Sequence, residues 1–211
     1  MITEKQESIL ASLRERIQGY MSEKRLSHTY AVEREITALS GIYAPEDEFT
    51  LRVSALLHDI TKELSLQKQL QLCILSDIIY TREEMLTPKI FHSRKAAAVI
   101  KQDFSEWATD DILSAIRWHT SGHADMTLCE QLLFLADFIE DTRTFESCVK
   151  LRRFFYEGIE GAQDKMSHLR DTMILALDLT IDELVSDGKP IHVDTVSARN
   201  YFIYEKVRCS K

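Results

Sequence analysis

Apolar residues recur at helical spacing along most of the chain. A stripe of Ile and Leu predicts an amphipathic helix over residues 3–19, and the same spacing predicts a second from Ser27 to Leu39. Gly41 is a plausible end for that second helix. Pro45, followed by three acidic residues, predicts the start of a third helix, because acids in a first turn complement the helix dipole.

The remaining elements are also predicted to be helices. Thr127 with Glu130 fits a capping box, in which side chains satisfy the free backbone N–H groups of a helix start. The predicted stretches are Leu66–Ile79, Thr87 to Ile100, Thr109 to His119, Thr127 to Ile139, Glu146–Glu157, Gln163–Leu184 and Thr195–Lys206. No segment sustains the alternation expected of a strand. The pattern therefore predicts a single all-α domain of about eight to ten helices.

Composition supports this interpretation and excludes several classes of protein. Only 6 Gly and 3 Pro occur in 211 residues, and 45% of residues are hydrophobic, as in a helical globular domain. The formal net charge of −8 argues against sequence-independent nucleic-acid binding, which needs a basic face. The sequence contains no apolar run long enough to predict a membrane helix, and its N-terminus lacks the apolar core of a signal peptide. The four cysteines are scattered, which suits a reducing compartment. We therefore expect a cytoplasmic protein with no membrane partner.

Histidine and aspartate residues supply the candidate chemistry. An apolar run ends in the adjacent pair His58 and Asp59, and Asp137 interrupts another apolar run. Such groups are costly to bury unless they are paired or bound to a metal. Taken alone, each has an ordinary alternative interpretation: Asp137 as the partner of an arginine or a helix N-terminus, and the histidines as capping, packing or surface residues. The ordered set is His28, His58, Asp59, His92, His119 and Asp137, each on or beside a predicted helix.

These residues lie in six longer motifs that span residues 26 to about 202. The motifs are LSHTYAVERE, ALLHDITKEL, KIFHSRKAAAVI, AIRWHTSGHADMT, LLFLADFIEDTR and KPIHVDTVSARNYF. Together they resemble the HD-domain metal-dependent phosphohydrolases, and more closely the bacterial symmetrical diadenosine-tetraphosphate hydrolases. Two positions depart from that pattern: Ser93 replaces the usual Gly and is expected to crowd the metal cleft, and Asp141 replaces the usual Pro and is expected to shift Arg143.

The resemblance implies an HD-domain helical bundle around a dinuclear metal site. Residues 18–145 would form the metal-binding core, with an N-terminal helix over 1–17 and a helical extension over 146–211. One ion would be held by His28, His58, Asp59 and Asp137. Asp59 would bridge to a second ion completed by His92 and His119, since a carboxylate has two oxygens to offer. The family implies iron, whereas the residue types alone also suit manganese, cobalt or zinc.

A polyphosphate substrate calls for positive groups beside the metals. The predicted phosphate contacts are Arg25, Lys62, Arg143 and Arg199, with Thr120 as a hydroxyl donor. Asp59 and Lys62 are the predicted catalytic residues, in a reaction in which metal-activated water attacks phosphorus. The ordinary alternative for each charged residue is a solvated surface position.

The function implied is symmetrical cleavage of a dinucleoside polyphosphate, diadenosine tetraphosphate, to two molecules of ADP. One alternative is another nucleotide phosphohydrolase, acting on a nucleoside monophosphate or a guanosine alarmone. A second alternative is a non-catalytic HD module that binds a nucleotide or another protein, although that class is expected to have lost ligand positions. The sequence leaves the oligomeric state open, with a homodimer among the alternatives.

Overall fold

The computed structural model describes residues 2–65, 67, 68, 71 and 88–209, and no β-strand occurs among them. The helices with defined bounds are α1 (Glu4–Ile17), α2 (Glu23–Tyr43), α3 (Glu48–Leu57), α4 (Pro88–Asp103), α5 (Asp110–Trp118), α6 (Leu128–Ile139), α7 (Glu146–Ile159), α8 (Lys165–Ser186) and α9 (Val193–Cys209). Short 3₁₀ turns precede α3 and α5. The all-α prediction is confirmed.

Side-chain caps fix where several helices begin. Thr127 and Glu130 form the predicted capping box at the start of α6, with both reciprocal hydrogen bonds present. Thr109 accepts a hydrogen bond from the backbone N–H of Ile112 and caps α5, as its sequence predicts. These local signals place the starts of the two helices that lead to His119 and Asp137.

Helix α2 is longer than its sequence pattern predicts. It begins after Ser22, whose hydroxyl accepts a hydrogen bond from the backbone N–H of Arg25 at 3.3 Å, and not near Ser27. It also continues through Gly41 to Tyr43. A glycine inside a helix costs roughly 1 kcal/mol relative to alanine. Burial of the apolar face of α2 offsets that cost, since tertiary packing provides most of a helix's stability.

One cluster of buried apolar side chains runs through the bundle, from Leu10 on α1 to Phe202 on α9. Helix α2 packs against α3 and α6, and α5 packs against α3, α4 and α6. Helix α8 packs against both α7 and α9. The helices that carry the predicted ligands therefore share one core, which fixes their relative positions.

A buried ionic network attaches the N-terminal helix to this core. Glu33 of α2 is only 5% exposed. Its Oε1 lies 2.6 Å from Nη2 of Arg14 on α1 and 3.0 Å from Nη2 of Arg52 on α3. A buried carboxylate must be paired in this way to offset its desolvation. The network therefore joins α1, α2 and α3 at one point.

Two predicted features fall outside the described part of the chain. The predicted helix Leu66–Ile79 lies outside it except at residues 67, 68 and 71, and so does Thr87, the predicted start of the next helix. Helix α4 is described from Pro88 onward. Across the described residues, none of the helices has both the length and the apolar character that crossing a bilayer requires.

Candidate metal centre

His58 and His119 occupy equivalent positions, immediately after α3 and α5. Nδ1 of His58 lies 2.6 Å from the carbonyl oxygen of Ala55, and Nδ1 of His119 lies 2.7 Å from that of Ile116. The last carbonyls of a helix lack intrahelical partners, so each imidazole donates its Nδ1–H there. A neutral imidazole that donates from Nδ1 keeps a lone pair on Nε2. Both residues therefore present Nε2 as a ligand atom.

His28 on α2 is oriented by Glu140. Its Nδ1 lies 3.1 Å from Oε1 of Glu140, and its Nε2 lies 3.0 Å from Oδ1 of Asp137 on α6. Burial alone would lower the pKa of His28, but the hydrogen bonds with Asp137 and Glu140 raise it to about 9. Without a metal, the imidazole is thus held as a cation between two carboxylates.

Asp59 lies at the centre of the histidines. Its Oδ2 is 3.7 Å from Nε2 of His28 and 3.6 Å from Nε2 of His58. Its Oδ1 is 3.0 Å from Nε2 of His92 and 3.7 Å from Nε2 of His119. The carboxylate is 2% exposed. Each oxygen of Asp59 therefore faces a different pair of imidazoles.

The electrostatics of the centre keep His58, His92 and Asp59 available as donors. Burial lowers the pKa of His58 to about 3 and that of His92 to about 4, so both imidazoles are neutral near pH 7. Burial alone would raise the pKa of Asp59, but His58 and Lys62 hold it well below its usual range. Neutral imidazole and ionised carboxylate are the protonation states that metals require.

The donor set fits a metal. Donor atoms within 4.8 Å of one another form two groups: His28, His58 and Asp137, and His58, Asp59 and His119. Nε2 of His58 is buried and makes no hydrogen bond to any residue that the structure describes. His92 adds its Nε2, 3.2 Å from Nε2 of His119. Mixed imidazole and carboxylate donors suit a transition ion.

Cationic side chains surround the centre. Nη1 of Arg25 donates to Oδ2 of Asp59 at 2.7 Å, and Nη2 of Arg143 donates to Oδ1 of Asp137. Nζ of Lys62 lies 3.6 Å from Oδ1 of Asp59 and 3.1 Å from Nε2 of His92. All three side chains are a quarter to a third exposed. They are thus able to meet a ligand from solution.

A cleft of about 580 Å³ opens onto these groups. Arg25, Lys62, Thr120 and Arg143 line it together with His119 and Asp137. Four of the five predicted substrate contacts thus share one cleft. The fifth does not join them: Nε of Arg199 on α9 donates to Oδ1 of Asp178 on α8 at 2.8 Å.

The two positions that depart from the family pattern have local partners. Ser93 is buried, and its hydroxyl donates to the carbonyl oxygen of Ile90 at 2.8 Å, so it serves its own helix. Asp141 is exposed and lies 3.0 Å from Nη2 of Arg34. Arg143 nevertheless reaches Asp137.

Sequence reasoning missed Glu140. It is fully buried, and it accepts hydrogen bonds from Thr142 N at 2.6 Å and from Thr142 Oγ1 at 2.8 Å besides its contact with His28. The available signal was an acidic residue directly after the apolar run of α6. Its partner His28 is remote in sequence, so spacing alone did not connect them.

Comparisons with known proteins agree with this arrangement. A family model described as "HD domain" matches residues 25–141. A Halalkalibacterium halodurans protein named "Bis(5'-nucleosyl)-tetraphosphatase, symmetrical" is 28% identical over 198 residues, covering 90% of this chain and 95% of that protein. A Staphylococcus aureus protein of the same name is 27% identical over 192 residues, covering 89% and 91%.

A solved structure shares the fold. It is described as a "predicted HD superfamily hydrolase involved in NAD metabolism" from Clostridium acetobutylicum. The TM-score is 0.80 at 27% identity, with 93% of this chain and 97% of that one covered. The similarity therefore extends well beyond the residues that the family model matches.

Proposed function

The chain belongs to the HD-domain family, and we propose that it hydrolyses diadenosine tetraphosphate symmetrically, to two molecules of ADP. Three relatives with the name of that enzyme, at 24–28% identity over about 90% of the chain, support the choice of substrate. The observation that carries the proposal is the position of Asp59, whose two oxygens face separate pairs of imidazoles.

The assignment of ligands to two metal ions follows from the way the two oxygens of Asp59 face different imidazoles. His28, His58 and Asp137 would join Oδ2 of Asp59 in holding one ion, and His92 and His119 would join Oδ1 in holding the other. Bound transition ions polarise a phosphoryl oxygen and activate water for attack at phosphorus. We propose iron on the basis of the family resemblance, with manganese, cobalt and zinc as alternatives that the same donors accept.

The chain's own cations would bind and orient the polyphosphate. Arg25, Lys62 and Arg143 lie beside the ligand carboxylates and line the cleft, so they are placed to neutralise phosphate charge as the leaving ADP separates. Charge-assisted hydrogen bonds of this kind are about twice as strong as neutral ones. The Thr120 hydroxyl is buried on the same cleft, makes no hydrogen bond to any described residue, and would donate to a phosphate oxygen.

We extend the proposal to the whole chain. Residues 18–145 would act as the metal-binding core, with helices on either side completing one unit, since a single apolar cluster joins Leu10 to Phe202. The free cysteines Cys129, Cys148 and Cys209 suit a reducing compartment, which supports a cytoplasmic location.

Product identity tests the proposed reaction. Protein loaded with Fe²⁺ or Mn²⁺ is incubated with diadenosine tetraphosphate, and products are separated by ion-exchange chromatography. The proposal predicts ADP alone; AMP together with ATP contradicts symmetrical cleavage. Turnover of AMP or a guanosine alarmone in place of the dinucleotide favours the alternative phosphohydrolase. Absence of both metal binding and turnover favours a non-catalytic module.

A further inference from the structure

Arg152 on α7 binds the backbone of the segment from Glu140 to Phe145, which joins α6 to α7, and of the residue before it. Nε of Arg152 on α7 donates to the carbonyl oxygen of Ile139 at 2.5 Å, and Nη2 donates to the carbonyl oxygens of Glu140 and, at 2.9 Å, Arg143. Three backbone acceptors on one guanidinium fix the path of this segment. It therefore presents its side chains from a defined backbone.

Two side chains of this segment line the cleft. Arg143 contacts Asp137 at the metal centre, and Phe145 lines the same cleft two residues later. Phe145 is the residue before α7 and has extended backbone angles, and its side chain is 69% exposed. Among the large apolar side chains that are exposed in the described part of the chain, Phe145 is the one that lines this cleft.

The cleft also has an apolar lining that the metal centre does not need. Phe138 of α6, Leu184 of α8 and Pro190 after α8 also line it. The cleft therefore combines apolar walls with the cations that surround the metal ligands. Its volume of about 580 Å³ falls within the roughly 300–1,000 Å³ typical of small-ligand sites.

We propose that Phe145 stacks on the base of a bound nucleotide whose phosphates lie at Arg143, and that Phe138, Leu184 and Pro190 complete this nucleoside subsite. The proposal rests on the proposed function for its ligand class. A nucleotide has a flat apolar base joined to anionic phosphates. The segment between α6 and α7 offers a complementary pair, the aromatic ring of Phe145 for the base and the guanidinium of Arg143 for the phosphates. Stacking on an aromatic ring is a sequence-tolerant way to bind a base.

The affinities of the metal-loaded protein for ADP and for inorganic pyrophosphate are compared, because pyrophosphate carries phosphates but no base. Phe145→Ala is expected to weaken ADP binding roughly 5- to 150-fold, the range for loss of one stacked base, and to leave pyrophosphate binding unchanged. Phe145→Trp is expected to restore ADP binding. Tyr204→Ala is the matched control, because Tyr204 is an aromatic residue 71% exposed on α9.

Three results overturn the subsite: ADP affinity unchanged in Phe145→Ala, equal losses for ADP and pyrophosphate, or no ADP binding by the unaltered protein. The outcome is separable from the proposed reaction. Unaltered protein that binds ADP through Phe145 but does not cleave diadenosine tetraphosphate leaves the subsite standing and removes the reaction. If the unaltered protein cleaves diadenosine tetraphosphate to ADP but its ADP affinity does not depend on Phe145, the reaction stands and the subsite is removed.

Discussion

Oε1 of Glu140 lies 3.1 Å from Nδ1 of His28, and this contact joins the end of α6 to the N-terminal part of α2. The Glu140 side chain is fully buried, and Thr142 donates to both of its oxygens. A carboxylate on Nδ1 fixes the tautomer and orientation of an imidazole ligand. Glu140 therefore determines where Nε2 of His28 points.

Glu140→Gln is expected to weaken metal binding about 10- to 100-fold, the range for loss of such a partner. The amide presents an NH₂ group either to His28 or to the Thr142 N–H, so one existing hydrogen bond is lost. Competition with a chromogenic chelator measures the affinity. Asp141→Asn is the control, because Asp141 is exposed and pairs with Arg34 at the surface. Equal metal affinities in the two variants would show that Glu140 has no role in positioning His28.

Lys62→Ala is expected to keep its metal and lose catalytic efficiency. Nζ of Lys62 lies beside Asp59 and His92 and is partly exposed, so it is placed for substrate phosphate and is not itself a metal ligand. Loss of a charge-assisted contact of about 1.5–3 kcal/mol lowers kcat/KM roughly 10- to 150-fold. Steady-state kinetics with metal analysis on the same sample checks this.

The control for Lys62 is Lys101→Ala, which removes an exposed lysine of α4. Normal kcat/KM in Lys62→Ala, or loss of metal from it, would refute its assignment to the substrate.

Metal binding is expected to release a proton from His28. Its pKa of about 9 in the metal-free protein means that it is protonated at pH 7.5, and a metal needs the Nε2 lone pair. Affinity should therefore rise with pH up to about 9, and calorimetry at pH 7.5 in buffers of different ionisation enthalpy should report about one proton released at His28. Metal affinity that is independent of pH between 7 and 9 contradicts this.

The same group affects the stability of the metal-free protein. Because the pKa of His28 is raised from 6.5 to about 9, its stabilising contribution is complete below pH 6.5 and is lost as pH rises through about 9. His28→Gln removes the titrating group. Denaturant unfolding of the metal-free protein at pH 6 and pH 9.5 should therefore show a smaller pH difference in the variant than in the unaltered protein.

Gly158 on α7 has a packing role. A Cβ there would lie 2.3 Å from Cε1 of His168, whose ring stacks near Phe154 and Phe155 and whose Nε2 contacts the Phe155 carbonyl oxygen. Gly158→Ala should reduce the free energy of unfolding by about 1–3 kcal/mol, as overpacking does. Gly161→Ala is the control, since nothing lies within 4 Å of its Cβ position. Equal stability in denaturant would contradict tight packing of α7 on α8.

Local sequence signals predict much of the bundle. Thr109 and Thr127 mark helix starts because a side-chain cap acts within one turn. The end of α2 is different, since glycine at position 41 is a local signal for stopping that core packing overrides. Local signals are thus reliable where the deciding interaction is itself local.

In the candidate site, too, some residues are recognisable from local sequence and others depend on tertiary packing. The six metal-ligand candidates are recognisable by residue type and motif, and the fold brings them together. Arg199 is different: its pairing with Asp178 depends on how α8 and α9 pack, which no spacing in the sequence encodes. Glu140 was missed because its partner, His28, is remote in sequence. The role proposed for Phe145 depends on a ligand outside the chain, which no spacing in the sequence indicates.

Bound metal per chain in Asp59→Ala tests the central claim most directly. One carboxylate facing two pairs of imidazoles is expected to be shared by both ions, so the unaltered protein should hold about two transition ions per chain and the variant none. Asp141→Ala controls for general loss of an acidic residue, and circular dichroism checks that the variant folds. Two ions retained in folded Asp59→Ala, with near-normal release of ADP, would contradict the account.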